Sequence, residues 1–448
     1  MSKKSGKSPS LRALKTQCGE ISFKSDDHLL LVSSPTPEST LATALICRAA
    51  MRVEGSFHVS FEEPIMSIES VNNYRAQYES STLVLVGLEI VGKKKLRKGK
   101  GYPIFVGGSS ESEQVTSLTI GNSHTVSASA YALSDEQFTT GDYELQMATA
   151  ASLIYDTSPI SPKTTSSANR TILKLAEKNN LVEERAGIRL FGLNFLPIDE
   201  VLVFSTRPYI EGISGNQKSC DAFLSAADVP ITKLRDPLTS LNSREIQQFS
   251  QHLTSRLLEK MAPDKIPFGT DYILNLENEN SPLRYLSGLE SIADTFWARQ
   301  ELGAVMSIWI GDRGRSLRTV IDNHLSHNRD VISAVHRLAS KMKGASSEVS
   351  TSIELAGVRA ELLTDIGRVA LQSEIANPER PLIIYNEESS IIIWTYTNVN
   401  VNHILPVLIE QDMQPLTTSN QSVMLRGTSP ESVTETLKLV KSLSEKKR

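Results

Sequence analysis

Residues 29–50, LLLVSSPTPESTLATALICRAA, constrain the fold most, because they predict a strand, a tight loop and a helix in direct succession. Residues 29–32 are all apolar and predict a short buried strand. Pro35 and Pro37 stiffen the loop that follows, and from Thr40 the apolar residues recur at helical spacing. Ligand groups of α/β domains gather at the carboxyl ends of such strands. This loop is therefore the first place to expect a functional site.

The same alternation of strand and helix continues as far as about residue 165. Strands are predicted at residues 29–32, 55–61, 82–88 and 102–106, and helices at 41–52, 126–133 and 143–155. Short apolar strands joined by helical crossovers are typical of a parallel sheet with helices on both faces. The sequence thus predicts an α/β protein that begins with a doubly wound parallel-sheet domain.

Two segments rich in small and polar residues, 158–169 and 344–352, predict domain boundaries. They divide the chain into a disordered basic tail (residues 1–20), a first domain (21–165), a middle α/β region (166–345) and a smaller C-terminal mixed α/β unit (346–448). In the middle region we expect helices over residues 171–184, 242–260 (capped by Ser243) and 316–342.

The C-terminal unit is predicted to contain a hairpin, two helices and a further strand. The hairpin joins residues 382–385 and 391–397, the first helix covers 401–411, the strand covers 422–425, and Ser429 caps the final helix. Elsewhere, Trp297 and Trp309 lie in apolar stretches and are predicted to be core residues rather than bases for stacking nucleotides.

Composition excludes several classes of protein. The 448 residues carry a net charge of −4, so there is no global basic field that would indicate nucleic acid as a partner. Apolar runs are too short to span a membrane. Cys18, Cys47 and Cys220 are too far apart in sequence to indicate a disulfide framework or a zinc site. We expect a cytoplasmic protein without a membrane partner.

The opening segment resembles the first motif of the DHH phosphoesterase superfamily, which includes the RecJ exonucleases. In that motif, His-x-Asp-x-Asp-Gly follows the first strand. The resemblance lies in the strand, the loop and the small-residue helix, whereas Ser34, Thr36, Glu38 and Ser39 stand where the His, the two Asp and the Gly would be.

Three further segments resemble the remaining motifs of the superfamily. Residues 83–90 resemble a strand ending in a metal-binding Asp, residues 102–109 resemble the strand before the Asp-His-His triplet, and residues 143–156 resemble a helix ending in Asp. The positions of these ligands are occupied by Gly87, with Glu89 two residues later, by Gly107, Gly108 and Ser109, and by Asp156. The middle region resembles archaeal RecJ-like proteins in layout, and the last unit resembles the DHH-associated domain without its glycine-rich His motif.

The resemblance implies a site for two divalent ions, usually Mn²⁺, that has lost its ligands. Hydroxyl groups cannot replace carboxylates and imidazoles around such ions. We therefore expect no catalytic residue, no metal and no cofactor, and Mn²⁺ or Mg²⁺ only if the chain proves to be an active enzyme. Asp156 is either a surviving ligand or a helix cap. Glu38 is explained by the positive end of a helix.

Two other features are candidate sites. His324 and His327 lie three residues apart on a predicted helix and could hold a metal, but without a third ligand a solvated helix face is favoured. The run at residues 93–100, KKKLRKGK, is either a phosphate-binding loop or a solvated turn. Its candidate nucleic-acid contacts are Lys93, Lys94, Lys95, Arg97, Lys98 and Lys100.

By resemblance, the chain is similar to the nuclease-inactive, RecJ-derived subunit of the replicative helicase, which implies GINS and MCM subunits as partners and single-stranded DNA as a further contact. One alternative is an inactive partner of an active RecJ-like nuclease in RNA or DNA processing. Another is an active single-strand exonuclease with a non-standard metal site. The sequence leaves open the protein partners, the choice of DNA or RNA, the oligomeric state, and whether Glu38 and Asp156 still hold one metal ion.

Overall fold

The computed structural model describes residues 9–23, 27–92, 94–97, 99–110, 117–155, 166–259, 266–342, 351–377, 382–387, 389–393, 404–427, 429–433 and 435. The elements of the N-terminal part are α1 (Leu11–Cys18), β1 (Leu29–Ser33), α2 (Pro37–Arg52), β2 (Phe57–Phe61), β3 (Ile65–Ser67), α3 (Ile68–Gln77), β4 (Thr82–Val86), β5 (Glu89–Val91), β6 (Ile104–Val106), β7 (Ser109–Ser110), β8 (Leu118–Ile120), α4 (Val126–Gln137) and α5 (Asp142–Tyr155).

Five of these strands form one parallel sheet in the order β2-β1-β4-β6-β8. Side chains alternate between its two faces because successive residues of a strand point in opposite directions. Leu29 and Leu31 pack with α2, α4 and α5, whereas Leu30 and Val32 pack with α3. Helices therefore cover both faces, and the predicted doubly wound parallel sheet is confirmed.

Part of the predicted disordered tail is ordered. Ser10 accepts a hydrogen bond from the Ala13 N–H and caps α1, whose Leu14 and Cys18 are fully buried. The prediction of disorder as far as residue 20 is wrong for these residues, because their apolar side chains complete the core beside α4 and α6 (Ser167–Lys178).

The middle region continues with two strands, several helices and two short 3-10 turns. Its elements after α6 are β9 (Val182–Ile188), α7 (Ile198–Val203), α8 (Gln217–Ala226), the 3-10 turns Ile231–Lys233 and Leu238–Ser240, α9 (Ser243–Leu258), β10 (Phe268–Leu274), α10 (Leu286–Ala298), α11 (Leu302–Ile310) and α12 (Arg315–Met342). β9 and β10 pair antiparallel, with Asp271 opposite Arg185. Trp297 and Trp309 are buried, as predicted.

The C-terminal unit is a five-stranded mixed sheet covered by helices. Its elements are β11 (Thr351–Glu354), α13 (Ala360–Gln372), β12 (Leu382–Tyr385), β13 (Ser389–Ile393), α14 (Leu405–Glu410), β14 (Pro415–Ser419) and β15 (Ser422–Arg426). The strand order is β11-β12-β13-β15-β14, and β12 and β13 pair antiparallel as the predicted hairpin. The sheet is separate from the N-terminal one, as expected for a lobe of its own.

Three predictions in these two regions concern the ends of helices. The helix expected over residues 171–184 is α6 followed by β9, because Asn180 adopts a positive φ and turns the chain. The cap of α9 is Asn242 rather than Ser243, since Asn242 and Glu245 form a reciprocal capping box. Most of the final helix lies outside the described residues, but the Ser429 hydroxyl accepts the Ser432 N–H, as a cap would. None of the described helices is long and apolar enough to cross a membrane.

Candidate functional site

The predicted site lies at the carboxyl edge of the N-terminal sheet, where β1, β4 and β6 end. The backbone continues to hydrogen-bond beyond the strands. The Ser34 N–H donates to the Val86 carbonyl at 2.9 Å, and the Gly87 N–H donates to the Val106 carbonyl at 3.0 Å. Gly87 and Gly107, with φ of +63° and +68°, then turn the chain into a second, shorter parallel sheet of β3, β5 and β7. Glycine is favoured at such φ values because it lacks a Cβ.

The glycines at this edge also leave no room for a side chain. A Cβ atom placed on Gly87 would lie 2.1 Å from the Ser39 Oγ. On Gly107 it would lie 2.5 Å from the Val126 Cα, and on Gly108 it would lie 2.2 Å from the Leu88 carbonyl oxygen. The obstacles at Gly107 and Gly108 are backbone atoms, which a rotamer change cannot remove. Two positions that carry ligands in the resembling family, Gly107 and Gly108, are therefore closed as well as vacant, whereas at Gly87 the Ser39 hydroxyl would have to move.

The hydroxyl residues in the first motif serve local structure. Thr36 is the cap of α2 and accepts the Ser39 N–H at 3.3 Å. Its own hydroxyl donates to the Ser39 Oγ at 2.9 Å. The Ser34 Oγ is buried and has no hydrogen-bond partner among the described residues. Ser109 is exposed, and its N–H donates to the Leu88 carbonyl.

One oxygen of the Glu38 carboxylate, Oε1, is engaged by the neighbouring helix. It accepts the backbone N–H of Ser127 at 3.1 Å and the Ser127 hydroxyl at 2.5 Å. Ser127 lies in the first turn of α4, whose own cap residue, Thr125, provides no side-chain cap. Burial raises the pKa of Glu38 to about 7, although both bonds from Ser127 oppose that rise. Glu38 thus caps the N-terminus of α4, in addition to lying near the N-terminus of its own helix, α2.

Taken together, the side chains described at this edge do not fit a centre for two divalent ions. Nowhere in the described parts of the chain do three His, Cys, Asp or Glu residues come together in a way that could hold a metal. Glu89 is half-buried in β5, two residues beyond Gly87. Asp156 lies outside the described residues.

The basic run follows β5, and four of its six basic residues are described. Its backbone is held by α3, since the Arg97 N–H donates to the Asn72 side chain at 2.6 Å. Three of the four side chains form ion pairs with carboxylates, namely Lys94–Glu69 (3.0 Å), Arg97–Glu79 (2.8 Å) and Lys100–Asp27 (2.5 Å). Lys95 is exposed, while Lys93 and Lys98 lie outside the described residues. Phosphate binding by this run stays a prediction.

Sequence analysis missed a buried charge cluster where the middle region meets the C-terminal sheet. We call it the α13 charge cluster; its members are Arg207, Asp294, His327, Asp365 and Arg368. Asp365 accepts hydrogen bonds from His327 Nε2 at 2.7 Å, from Arg368 Nε at 2.9 Å and from Arg207 at 3.3 Å. Arg207 also binds Asp294. Burial would raise the pKa of Asp365, but Arg368, His327 and Arg207 together hold it well below its usual value.

His324 and His327 of α12 belong to this interior and not to a solvated face. His327 is 0% exposed and His324 is 1% exposed. His324 lies 2.9 Å from Thr295 Oγ1 and 3.2 Å from Asn328 Nδ2. Burial, with His327 and Arg207 nearby, lowers the pKa of His324 to about 3, so the ring is neutral. The predicted solvated face is wrong because both histidines lie on the buried stripe of α12, between Val320 and Val331.

The α13 charge cluster borders a small cavity. The cavity is lined by Phe204, Arg207, His324 and Asn328, among others, and measures about 10 Å³, which is room for one water molecule. It cannot admit a substrate. The cluster therefore connects the middle region to the C-terminal unit. Its members are far apart in sequence, so the cluster becomes apparent only when the contacts of α13 with α12 and with the loop at residues 204–209 are known.

Comparison with known proteins gives a result at the level of structure alone. No family model matches the sequence, and no curated protein matches it. The crystal structure of CDC45 from Entamoeba histolytica aligns with a TM-score of 0.58 and 8% identity, covering 95% of this chain and 96% of that one.

Two RecJ structures align more loosely. An exonuclease RecJ bound to manganese gives a TM-score of 0.44 at 10% identity and covers 98% of this chain and 94% of that one. RecJ from Thermus thermophilus with Mn²⁺ gives 0.44 at 10% identity, with 96% of this chain and 54% of that one covered.

The chain therefore shares its fold with the CDC45 structure from Entamoeba histolytica along nearly the whole length of both chains.

Proposed function

We propose that this chain is a catalytically inactive RecJ-like scaffold of an archaeal replicative helicase complex, acting in the cytoplasm. In this proposal it binds GINS and MCM subunits and contacts single-stranded DNA. The resemblance of its motifs to the RecJ-derived helicase subunit suggests the partners. A fold shared with CDC45 over nearly the whole of both chains supports the same assignment.

The observation that carries the inactive part of the proposal is the closure of the ligand positions. A two-metal phosphodiesterase needs charged oxygen and nitrogen ligands on several strands. Here Gly107 and Gly108 face backbone atoms within 2.5 Å of where a Cβ would lie. Glu38, the one described carboxylate of the first motif, is occupied by Ser127. A single substitution would not restore such a centre.

Activity is the first test. The purified protein should leave labelled single-stranded DNA and RNA intact in the presence of Mn²⁺ or Mg²⁺. An Asp156→Ala variant serves as the control, since Asp156 is the remaining acidic position of the motifs. Hydrolysis by the wild-type protein that disappears in this variant would establish the active-exonuclease alternative and overturn the proposal.

Partner capture is the second test. Affinity purification of the full chain from its native host should recover GINS and MCM subunits. Recovery of an active RecJ-like nuclease with RNA-processing proteins, and no helicase subunits, would replace the helicase scaffold by the alternative of an inactive nuclease partner. The two tests are independent, because an inactive chain could serve in either complex.

A further inference from the structure

The exposed face of α12 carries arginines that no other described group neutralises. α12 has 28 residues and is about 42 Å long. Its buried stripe includes Leu317, Val320 and Val331. Four exposed arginines lie on the opposite side, at separations of three, eleven and eight residues that keep them on one helix face. We call this the α12 arginine face; its members are Arg315, Arg318, Arg329 and Arg337.

None of these four guanidinium groups forms an ion pair with a carboxylate in the described parts of the chain. Arg329 lies over the Phe204 ring, 4.7 Å from its centroid, a contact that leaves the charge in place. Two acidic residues lie near the same side of the helix. Asp322 is exposed, and Asp330 is bound by Arg359 at 2.7 Å.

The basic run at residues 93–100 differs from the α12 arginine face in that carboxylates hold several of its cations. That run is conspicuous in the sequence, but Glu69, Glu79 and Asp27 each hold one of its cations. The arginines of α12 are dispersed in the sequence and are gathered only by the helix. An unneutralised cation contributes more to the binding of a polyanion than one already held by a carboxylate.

We propose that the α12 arginine face binds the phosphate backbone of a nucleic acid. Exposed hydroxyl residues, Thr319, Ser326 and Ser333, lie between the arginines and can donate to phosphate oxygens. Stable protein interfaces have a well-packed, largely apolar core surrounded by a polar rim. The large hydrophobic side chains that are exposed in the described structure all lie outside α12. The chemistry of this face therefore favours phosphate over protein.

This inference rests on the nucleic-acid part of the proposed function and moves its main contact from the basic run to α12. The test compares two triple variants of the full chain that each remove three positive charges. The first is Arg315→Gln, Arg318→Gln and Arg337→Gln, which leaves Arg329 on Phe204. The matched control is Lys94→Gln, Lys95→Gln and Arg97→Gln. Thermal unfolding of both should first establish that they fold.

Binding is measured by fluorescence anisotropy with a labelled oligothymidine and with a labelled duplex, between about 50 and about 200 mM salt. The α12 variant should lower the slope of log affinity against log salt by up to about 2 for single strands and up to about 3 for duplex. The control should lower it less. Whichever form binds more tightly identifies the nucleic acid.

Three results would overturn the inference. Wild-type binding with an unchanged slope in the α12 variant, or a larger loss in the control variant, would return the contact to the basic run and leave the proposed function intact. Tighter binding of poly-glutamate than of either nucleic acid would indicate an acidic protein partner instead. No binding of wild-type protein to either nucleic acid would also remove the nucleic-acid part of the proposed function, while capture of GINS and MCM would still test the scaffold.

Discussion

The carboxyl edge of the N-terminal sheet and the α13 charge cluster differ in whether their buried carboxyl groups have neighbours of opposite charge. At the edge, where the family resemblance predicts charged metal ligands, the described ligand positions carry glycines, hydroxyl residues and one buried carboxyl group, Glu38, beside which no described cation lies. In the cluster, where the sequence predicts nothing, Asp365 is held by Arg207, Arg368 and His327. One region avoids buried charge, and the other compensates it.

The two carboxyl groups show the physical consequence. Burial alone raises the pKa of a carboxyl group because the charged form loses its hydration. For Glu38 the hydrogen bonds from Ser127 only partly oppose this, and the pKa rises to about 7. For Asp365 burial is outweighed by the two arginines and His327, and the pKa falls well below its usual value. The comparison teaches that paired buried charge lies at the contact between the middle region and the C-terminal unit, and not among the described residues of the carboxyl edge.

The largest effect is expected from Asp365→Ala. The variant would leave Arg368 and His327 buried without their acceptor, and removing one partner of a buried ion pair costs about 3 to 5 kcal/mol. We expect the free energy of unfolding, measured by urea denaturation, to fall by about that amount.

The matched control is Asp330→Ala, which removes an exposed ion pair with Arg359. That pair should contribute at most about 1 kcal/mol. If the two variants lost similar amounts of stability, the α13 charge cluster would not be the compensated interior that its geometry indicates.

How much of this could be predicted from the sequence differs between the two regions. Local signals found the edge. The apolar strands and the caps depend on a few neighbouring residues, and Ser34, Thr36, Glu38, Gly87 and Gly107 lie just after the strands of the predicted sheet. The closure of the edge was not visible, since the atoms that block Gly107 belong to Val126 on another element.

The cluster depends on long-range contacts. His327 and Asp365 are 38 residues apart, and Arg207 and Asp365 are 158 apart. No sequence spacing relates such residues, and a polar residue on an amphipathic helix is predicted to be solvated by default. This default predicts His324 and His327 to be solvated. The α12 arginine face becomes apparent only when the helix brings together residues that are dispersed in the sequence.

An effect of intermediate size is expected in the pH dependence of stability. It tests Glu38, the buried carboxyl group that no described cation compensates. The folded-state pKa of Glu38, about 7, exceeds its ordinary value, so the folded protein binds more protons than the unfolded chain between about pH 4.5 and 7. Stability should therefore be fully present below this range and fall as pH rises through it, by up to about 3 kcal/mol. A Glu38→Gln variant stays neutral and should not show this loss.

Urea denaturation of wild type and Glu38→Gln at several pH values measures the difference. A Ser127→Ala variant sharpens the test, because it removes the hydroxyl that favours the charged form and should extend the loss to higher pH. An equal pH dependence of wild type and Glu38→Gln would show that Glu38 is not the group that titrates, and the contrast with Asp365 would then fail.

The smallest expected effect is the difference in stability between Gly107→Ala and Gly101→Ala. Gly107 and Gly101 have almost the same positive φ, +68° and +66°, but a Cβ on Gly107 would lie 2.5 Å from Val126, whereas nothing lies within 4 Å of one on Gly101. Both Gly→Ala variants should lose about 1 kcal/mol or more to the backbone conformation. Gly107→Ala should lose a further 1 to 3 kcal/mol or so, because the added methyl group overpacks the edge. Thermal or urea unfolding of the pair isolates this steric part, since the backbone contribution cancels. Equal losses would mean that the edge can open to accept a side chain, and an Asp at position 107 could then be tested as a metal ligand.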